Sequence, residues 1–244
     1  MFPIRDHNPS DRTPVVTYLL IATNVLIFAL GLSDQTSQNT LIHDWALFPV
    51  QVVNGAGLHT LATSMFLHAG FLHIGGNMLF LWVFGDNLED FFGHFGFLLF
   101  YLACGICAGL AHVMVQPFSD IPTVGASGAI AGVLGGYLLL FPRARVDVVF
   151  FFLVFFKTIP IPAWLTLGGW FALQVFNGTT TSATGGGVAY WAHIGGFVFG
   201  LIFTLPFWLK RGRTSGIPEG EPRAQKVEDR FSKSDVPTVR RRRK

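Results

Sequence analysis

The run VGASGAIAGVLGGYLLLF, residues 124–141, decides the architecture: it carries no charged side chain and five glycines. Eighteen such residues suffice to cross most of a bilayer as a helix. Glycine at this density is poor for a soluble helix. It suits a membrane helix, where small residues let neighbouring backbones approach. Working outward, similar apolar runs occupy about 15–32, 71–83, 95–115, 161–176 and 188–208. The second is entered by the segment from His59. The whole chain of 244 residues is 51% hydrophobic and 13% charged. Soluble domains carry about 25% charged residues, so most of this chain does not face water. The expected fold is an all-α membrane protein, a six-transmembrane-helix bundle. Its boundaries are a short segment 1–13, a helical domain 14–209 and a disordered basic tail 210–244. A further apolar stretch, 148–156, is too short to cross and ends at Lys157; it is expected to lie at the interface as a lead-in to the fifth span.

The cations set the orientation. Arg5 and Arg12 precede the first span, and Arg143, Arg145 and Lys157 separate the fourth from the fifth. The remainder of the 17 Lys and Arg residues lie from Lys210 onward. None is left for the loops after the first, third and fifth spans. Six spans place all of these cations on one side, and the positive-inside rule makes that side the cytoplasm. Asp86, Glu89 and Asp90 after the second span contribute little to orientation. The first span resembles a signal peptide in its Ala29-x-Gly31 pair, but it is too long and is interrupted by Asn24, so it is expected to be retained. Arg240 to Lys244 could touch anionic lipid, against the plainer reading of a solvated tail. Cys104 and Cys107 form a C-x-x-C pair inside an apolar span without a His or Asp partner; they are expected to be buried thiols, and no metal, cofactor or nucleic-acid partner is expected.

Polar groups inside spans are costly and call for a reason. His68, His73 and Asn77 occur in HAGFLHIGGN, Ser127 in GASGAIAG, and His193 in AHIGGFVFG. The second, fourth and sixth spans run in the same direction, so these groups share one outer level. Ser127 and His193 are expected about 4–6 residues past the outer ends of their helices, roughly 6–9 Å deep. Ser, His and hydrogen-bond donors are the parts that acyl transfer needs. A serine hydroxyl requires a base to remove its proton, which His193 can do. The tetrahedral intermediate then needs preorganised donors: the Ser127 N–H, the His73 ring and the Asn77 amide. His73 and Asn77, four residues apart, share a helix face. Gly125 and Gly128 leave the Ser127 hydroxyl unshielded. Gly128-x-x-x-Gly132 and Gly196-x-x-x-Gly200 allow the fourth and sixth spans to touch. Each feature alone has a plainer explanation. A membrane Ser commonly back-bonds within its own helix, a lone interfacial His commonly packs, and the glycine pattern is common.

Taken together, GASG at 125–128, AH-x-x-G-x-x-x-G at 192–200 and H-x-x-x-x-H-x-x-x-N at 68–77 resemble the rhomboid family of intramembrane serine proteases, over residues 14–208. The resemblance implies a six-helix core with a water-filled cavity open to the outer face. It implies Ser127 as nucleophile, His193 as general base without an acidic third member, His73 and Asn77 as the oxyanion-stabilising pair, and His68 as an auxiliary histidine. It implies transmembrane-segment proteins as substrates, cut near their outer ends, and an integral location in a bilayer, here the bacterial inner membrane. Two positions depart from the pattern of some members. Trp45 is followed by Ala46 rather than Arg. Ala131 stands where a Tyr would stack on the catalytic His, so something else must position His193. The polar stretch NGTTTSATGGG, residues 177–187, is expected to form a mobile cap. Competing readings are a protease-dead escort protein, which would be expected to lose Ser or His; a channel or transporter, which would not confine polar groups to one level; and a membrane acyltransferase or esterase sharing the dyad.

Overall fold

The computed structural model describes residues 2–33, 35–152, 155–181 and 187–214. Eight α-helices are formed among them: α1 Val15–Gly31, α2 Gln35–Trp45, α3 Pro49–Val53, α4 Thr60–Thr63, α5 Phe71–Val115, α6 Ser127–Leu140, α7 Ala163–Thr180 and α8 Tyr190–Thr214. The chain divides into two compact units, Met1–Trp208 and Leu209–Lys244; of the second, only the end of α8 is described. The tail expected to be disordered lies outside the described residues from position 215.

α5 is two helices joined at Gly93, whose φ of 71° interrupts the helical backbone. Glycine adopts this left-handed conformation without a Cβ penalty. The neighbours of α6 show that the chain reverses there. Gly136 lies against both Leu88 and Phe100, whereas Gly125 meets His73 and Gly128 meets Ala108. The first arm therefore runs parallel to α6 and the second antiparallel. α1 runs against the first arm, with Tyr18 stacked on Trp82 and Phe28 edge-on to Phe71. α8 runs with α6, and α7 runs against α8, because Trp170 meets Phe197 while Gly178 meets Tyr190. Successive long helices thus alternate in direction. α5 and residues 190–210 of α8 are long and apolar enough to cross a membrane; α1 and α6 are shorter apolar helices.

α6 is the centre of this arrangement, with every residue from Gly128 to Tyr137 buried. A Cβ on Gly132 would overlap Cys104 of α5, and Cβ atoms on Gly196 and Gly200 would overlap the carbonyl oxygens of Gly128 and Gly132. The backbones of α6 and α8 are therefore in direct contact, which maximises dispersion where lipid supplies no hydrophobic drive between helices.

The structure is mostly helical, as expected, and adds one small sheet that an all-α fold would lack. Arg145–Phe152 and Phe155–Pro162 pair as antiparallel strands β2 and β3, and Phe2–Asp6 adds β1 in the order β1-β2-β3. Of the interfacial lead-in, 148–152 thus lie in β2 and 155–156 in β3, while 153–154 lie outside the described residues. Its β-branched and aromatic residues favour strand over helix. Pro160 sits opposite Asp147 on the edge strand β3, where a missing N–H costs no ladder bond on the open side. Val146 and Val148 point into the core, while Asp147 faces Arg5 at 3.1 Å and His7 at 2.8 Å.

At the same end of the bundle, the buried Glu89 receives the N–H groups of Val16 and Thr17, each at 2.8 Å, and the Thr17 hydroxyl at 2.7 Å. These are first-turn donors of α1 that have no carbonyl partner within their own helix. A residue 72 positions away therefore caps the helix, with its negative charge at the positive end of the dipole.

Candidate active site

Ser127 is the first residue of α6, not a residue one turn inside it. The preceding chain is irregular, and Leu47 pairs with Thr123 as an isolated antiparallel bridge. Gly125 has φ of 125° and lies under the His73 ring, so that a Cβ there would come within 2.7 Å of Nε2. Helix cannot continue through that position, and this is why the expected burial of Ser127 within its helix is not observed. The consequence is chemical. As a first-turn residue Ser127 has a backbone N–H with no intrahelical acceptor, at the helix end that favours negative charge.

His193 lies in the first turn of α8, with its N–H bonded to Ala189 O at 3.2 Å. Its Nε2 is 2.8 Å from Ser127 Oγ, although the two residues are 66 positions apart. Its Nδ1 is 2.8 Å from Oε1 of Gln174 on α7. Both His193 and Gln174 are buried. Trp170, one turn before Gln174, holds its ring 5.8 Å from the imidazole, inclined at 33°. Where Ala131 offers no ring, α7 supplies both an acceptor and an aromatic neighbour. Sequence reasoning missed Gln174. Its only signal was an amide inside the apolar run WFALQVF, residues 170–176.

His73 and Asn77 project from the first arm of α5 toward Gly125. The Ala69 N–H donates to His73 Nδ1 at 3.4 Å, which leaves the ring proton on Nε2, the atom facing the turn before Ser127. Asn77 is buried, and its Nδ2 has no hydrogen-bond partner among the described residues. Buried donors without partners are uncommon and costly, so an oriented free amide beside a hydroxyl–imidazole pair has the character of a site waiting for an acceptor. His68 packs edge-on against His73 with centroids 5.0 Å apart, and neither of its ring nitrogens has a partner among the described residues. It borders a cleft with Ile27, Phe28, Leu41 and Val124. His112, not singled out from the sequence, is buried on the second arm of α5 and meets Thr123 Oγ1 at 3.1 Å.

Within 177–187, residues up to Thr180 complete α7, and 182–186 lie outside the described residues. Among the described residues no group of three or more His, Cys, Asp or Glu side chains is assembled to hold a metal ion. Cys104 and Cys107 are free thiols, the former buried.

The rhomboid-domain family model matches residues 55–210, which include every residue of this constellation. The chain is 29% identical over 192 residues to rhomboid protein 1, mitochondrial, of Saccharomyces cerevisiae, covering 77% of this chain and 52% of that protein. It is 39% identical over 127 residues to rhomboid protease GluP of Bacillus subtilis, covering 51% and 24% respectively. It is 28% identical over 203 residues to the human presenilin-associated rhomboid-like protein, mitochondrial, covering 80% and 48%. The chain therefore spans about half the length, or less, of these curated relatives. With more than half of its own length matched by the domain, the chain belongs to the rhomboid family.

Proposed function

We propose that this protein is an intramembrane serine endopeptidase that cuts transmembrane segments of other proteins near their outer ends with a Ser127–His193 dyad. The observation that carries the reading is the 2.8 Å contact between Ser127 Oγ and His193 Nε2, made by two helices whose glycines bring their backbones together. The names of curated relatives that are proteases support the same activity.

In this reading α1, the two arms of α5, α6, α7 and α8 are six spans within a domain of residues 14–209, flanked by cytoplasmic segments 1–13 and 210–244. Alternating helix direction supports the count. Arg5, Arg12, Arg143, Arg145 and Lys157 all belong to the end remote from Ser127, which supports cytoplasmic termini and a site at the outer face. The 14 residues of α6 reach only about 21 Å, short of the ~30 Å hydrocarbon core. The irregular backbone before Ser127 then lies at membrane depth, which is tolerated where it lines a water-filled cavity. Such a cavity admits the hydrolytic water.

Catalysis follows from the geometry. The Nε2 lone pair of His193 takes the Ser127 hydroxyl proton as Oγ attacks the scissile carbonyl carbon. The negative oxygen is received by the Ser127 N–H, His73 Nε2–H and Asn77 Nδ2–H. The imidazolium returns its proton to the leaving amine, giving an acyl-enzyme; water, deprotonated by His193, then releases the acid. His68 supports the His73 ring by edge contact.

The test is cleavage of a membrane-spanning reporter in proteoliposomes. Ser127→Ala and His193→Ala should each lose activity by at least about a thousandfold. Undiminished cleavage by Ser127→Ala would refute the nucleophile.

A further inference from the structure

We infer that Gln174 is the positioning residue for the general base: its amide oxygen selects the tautomer and rotation of His193 in place of an acidic third member. This role rests on the dyad proposed above.

A neutral imidazole carries its proton on one nitrogen or the other, and the bond made by one ring nitrogen fixes the state of its opposite. For His193 to accept the Ser127 proton at Nε2, the ring proton must sit on Nδ1. The group facing Nδ1 is Gln174 Oε1, at 2.8 Å, and an amide oxygen can only accept. The alternative tautomer would point an N–H at Ser127 Oγ and leave two acceptors, Nδ1 and Oε1, facing each other. Among the described residues no carboxylate bonds to His193, and its two recorded side-chain hydrogen bonds are those to Gln174 and Ser127.

The choice of an amide has a physical logic. A carboxylate buried beside a neutral imidazole in a low-dielectric site would carry a large desolvation cost until the proton moved. An amide acceptor fixes the same tautomer without a charge, and its oxygen dipole faces the imidazolium once that forms. The placement is shared with Trp170. One turn apart on α7, the two side chains meet the ring at its nitrogen and near its face. Ser127, His193 and Gln174 stand on α6, α8 and α7, so the site depends on the registry of three helices.

The experiment uses the full chain. In reconstituted vesicles with a membrane-spanning reporter, Gln174→Leu should lower kcat about 10- to 100-fold with KM little changed. Gln174→Glu, which keeps an acceptor, should recover most of that loss. Independently of turnover, 15N NMR of histidine-labelled protein in a Ser127→Ala background should show His193 protonated at Nδ1 alone. The added Gln174→Leu change should convert it to a tautomer mixture. Parental kcat in Gln174→Leu, or an unchanged Nδ1–H tautomer, would overturn the positioning role while Ser127→Ala remains inactive. Cleavage persisting in Ser127→Ala would instead overturn the dyad, and this role with it.

Discussion

The carbonyl oxygen of Gly128 lies where the Cβ of residue 196 would be, and that contact sets the spacing of the helices that carry Ser127 and His193. Ser127 immediately precedes Gly128, and His193 lies one turn before Gly196. On its other side Gly128 is closed by Ala108, whose Cβ would stand 2.7 Å from an added methyl group. At this level α6 is thus held between α5 and α8 with no room for a Cβ at Gly128 or Gly196.

Gly196→Ala should therefore force the two backbones apart. Overpacking of a close contact costs about 1–3 kcal/mol. The variant should show a lowered Tm, together with a fall in kcat larger than the residual folded fraction explains. Gly169→Ala on α7, where an added Cβ meets open space, is the matched control and should leave both quantities near parental values. Thermal melts and reporter cleavage on the same detergent samples compare them.

Asn77→Ala should reduce kcat while leaving KM nearly unchanged, because the unpartnered Nδ2 is assigned to the transition state and not to ground-state binding. Loss of one oxyanion donor is worth about 100- to 1,000-fold at most, and less where two others remain. A change confined to KM would show that the amide binds substrate instead.

Glu89→Ala should destabilise the fold by about 2–4 kcal/mol, since it leaves the part-buried Val16 N–H and the buried Thr17 N–H without their acceptor. The site lies at the opposite end of the bundle, so the fraction that remains folded should keep its KM. Chemical denaturation in mixed micelles, paired with kinetics below the transition, measures both.

Burial raises the Asp6 carboxyl to about 6 from its ordinary value near 3.8; the bond it accepts from Tyr137 Oη at 2.6 Å opposes that rise. A raised acid binds its proton more readily in the folded state. Its contribution to stability is then full below about pH 4 and is lost as pH rises through about 6. Asp6→Asn, which stays neutral, should be more stable than the parent at pH 7, by on the order of 1 kcal/mol after solvent screening. It should also flatten the pH dependence of Tm between 4 and 6. A parent Tm that rises through that window on Asp6's account would contradict the assignment.

The amino-acid sequence determined which stretches are apolar enough to leave water, where the cations lie, and which nucleophile, base and donors stand in glycine-rich surroundings. Those are properties of composition and short-range spacing, and they persist whatever the helices do. It did not announce Gln174, the capping of α1 by Glu89, the Asp6–Tyr137 bond or the start of α6 at Ser127. In a span that meets lipid on one side and apolar neighbours on the other, both faces read alike, so the rotation of each helix about its axis leaves little trace in hydrophobic pattern. Only tertiary structure fixes that rotation. It turned Gln174 of α7 toward the imidazole of α8 and carried β1 across to β2, which lies about 140 residues further along the chain.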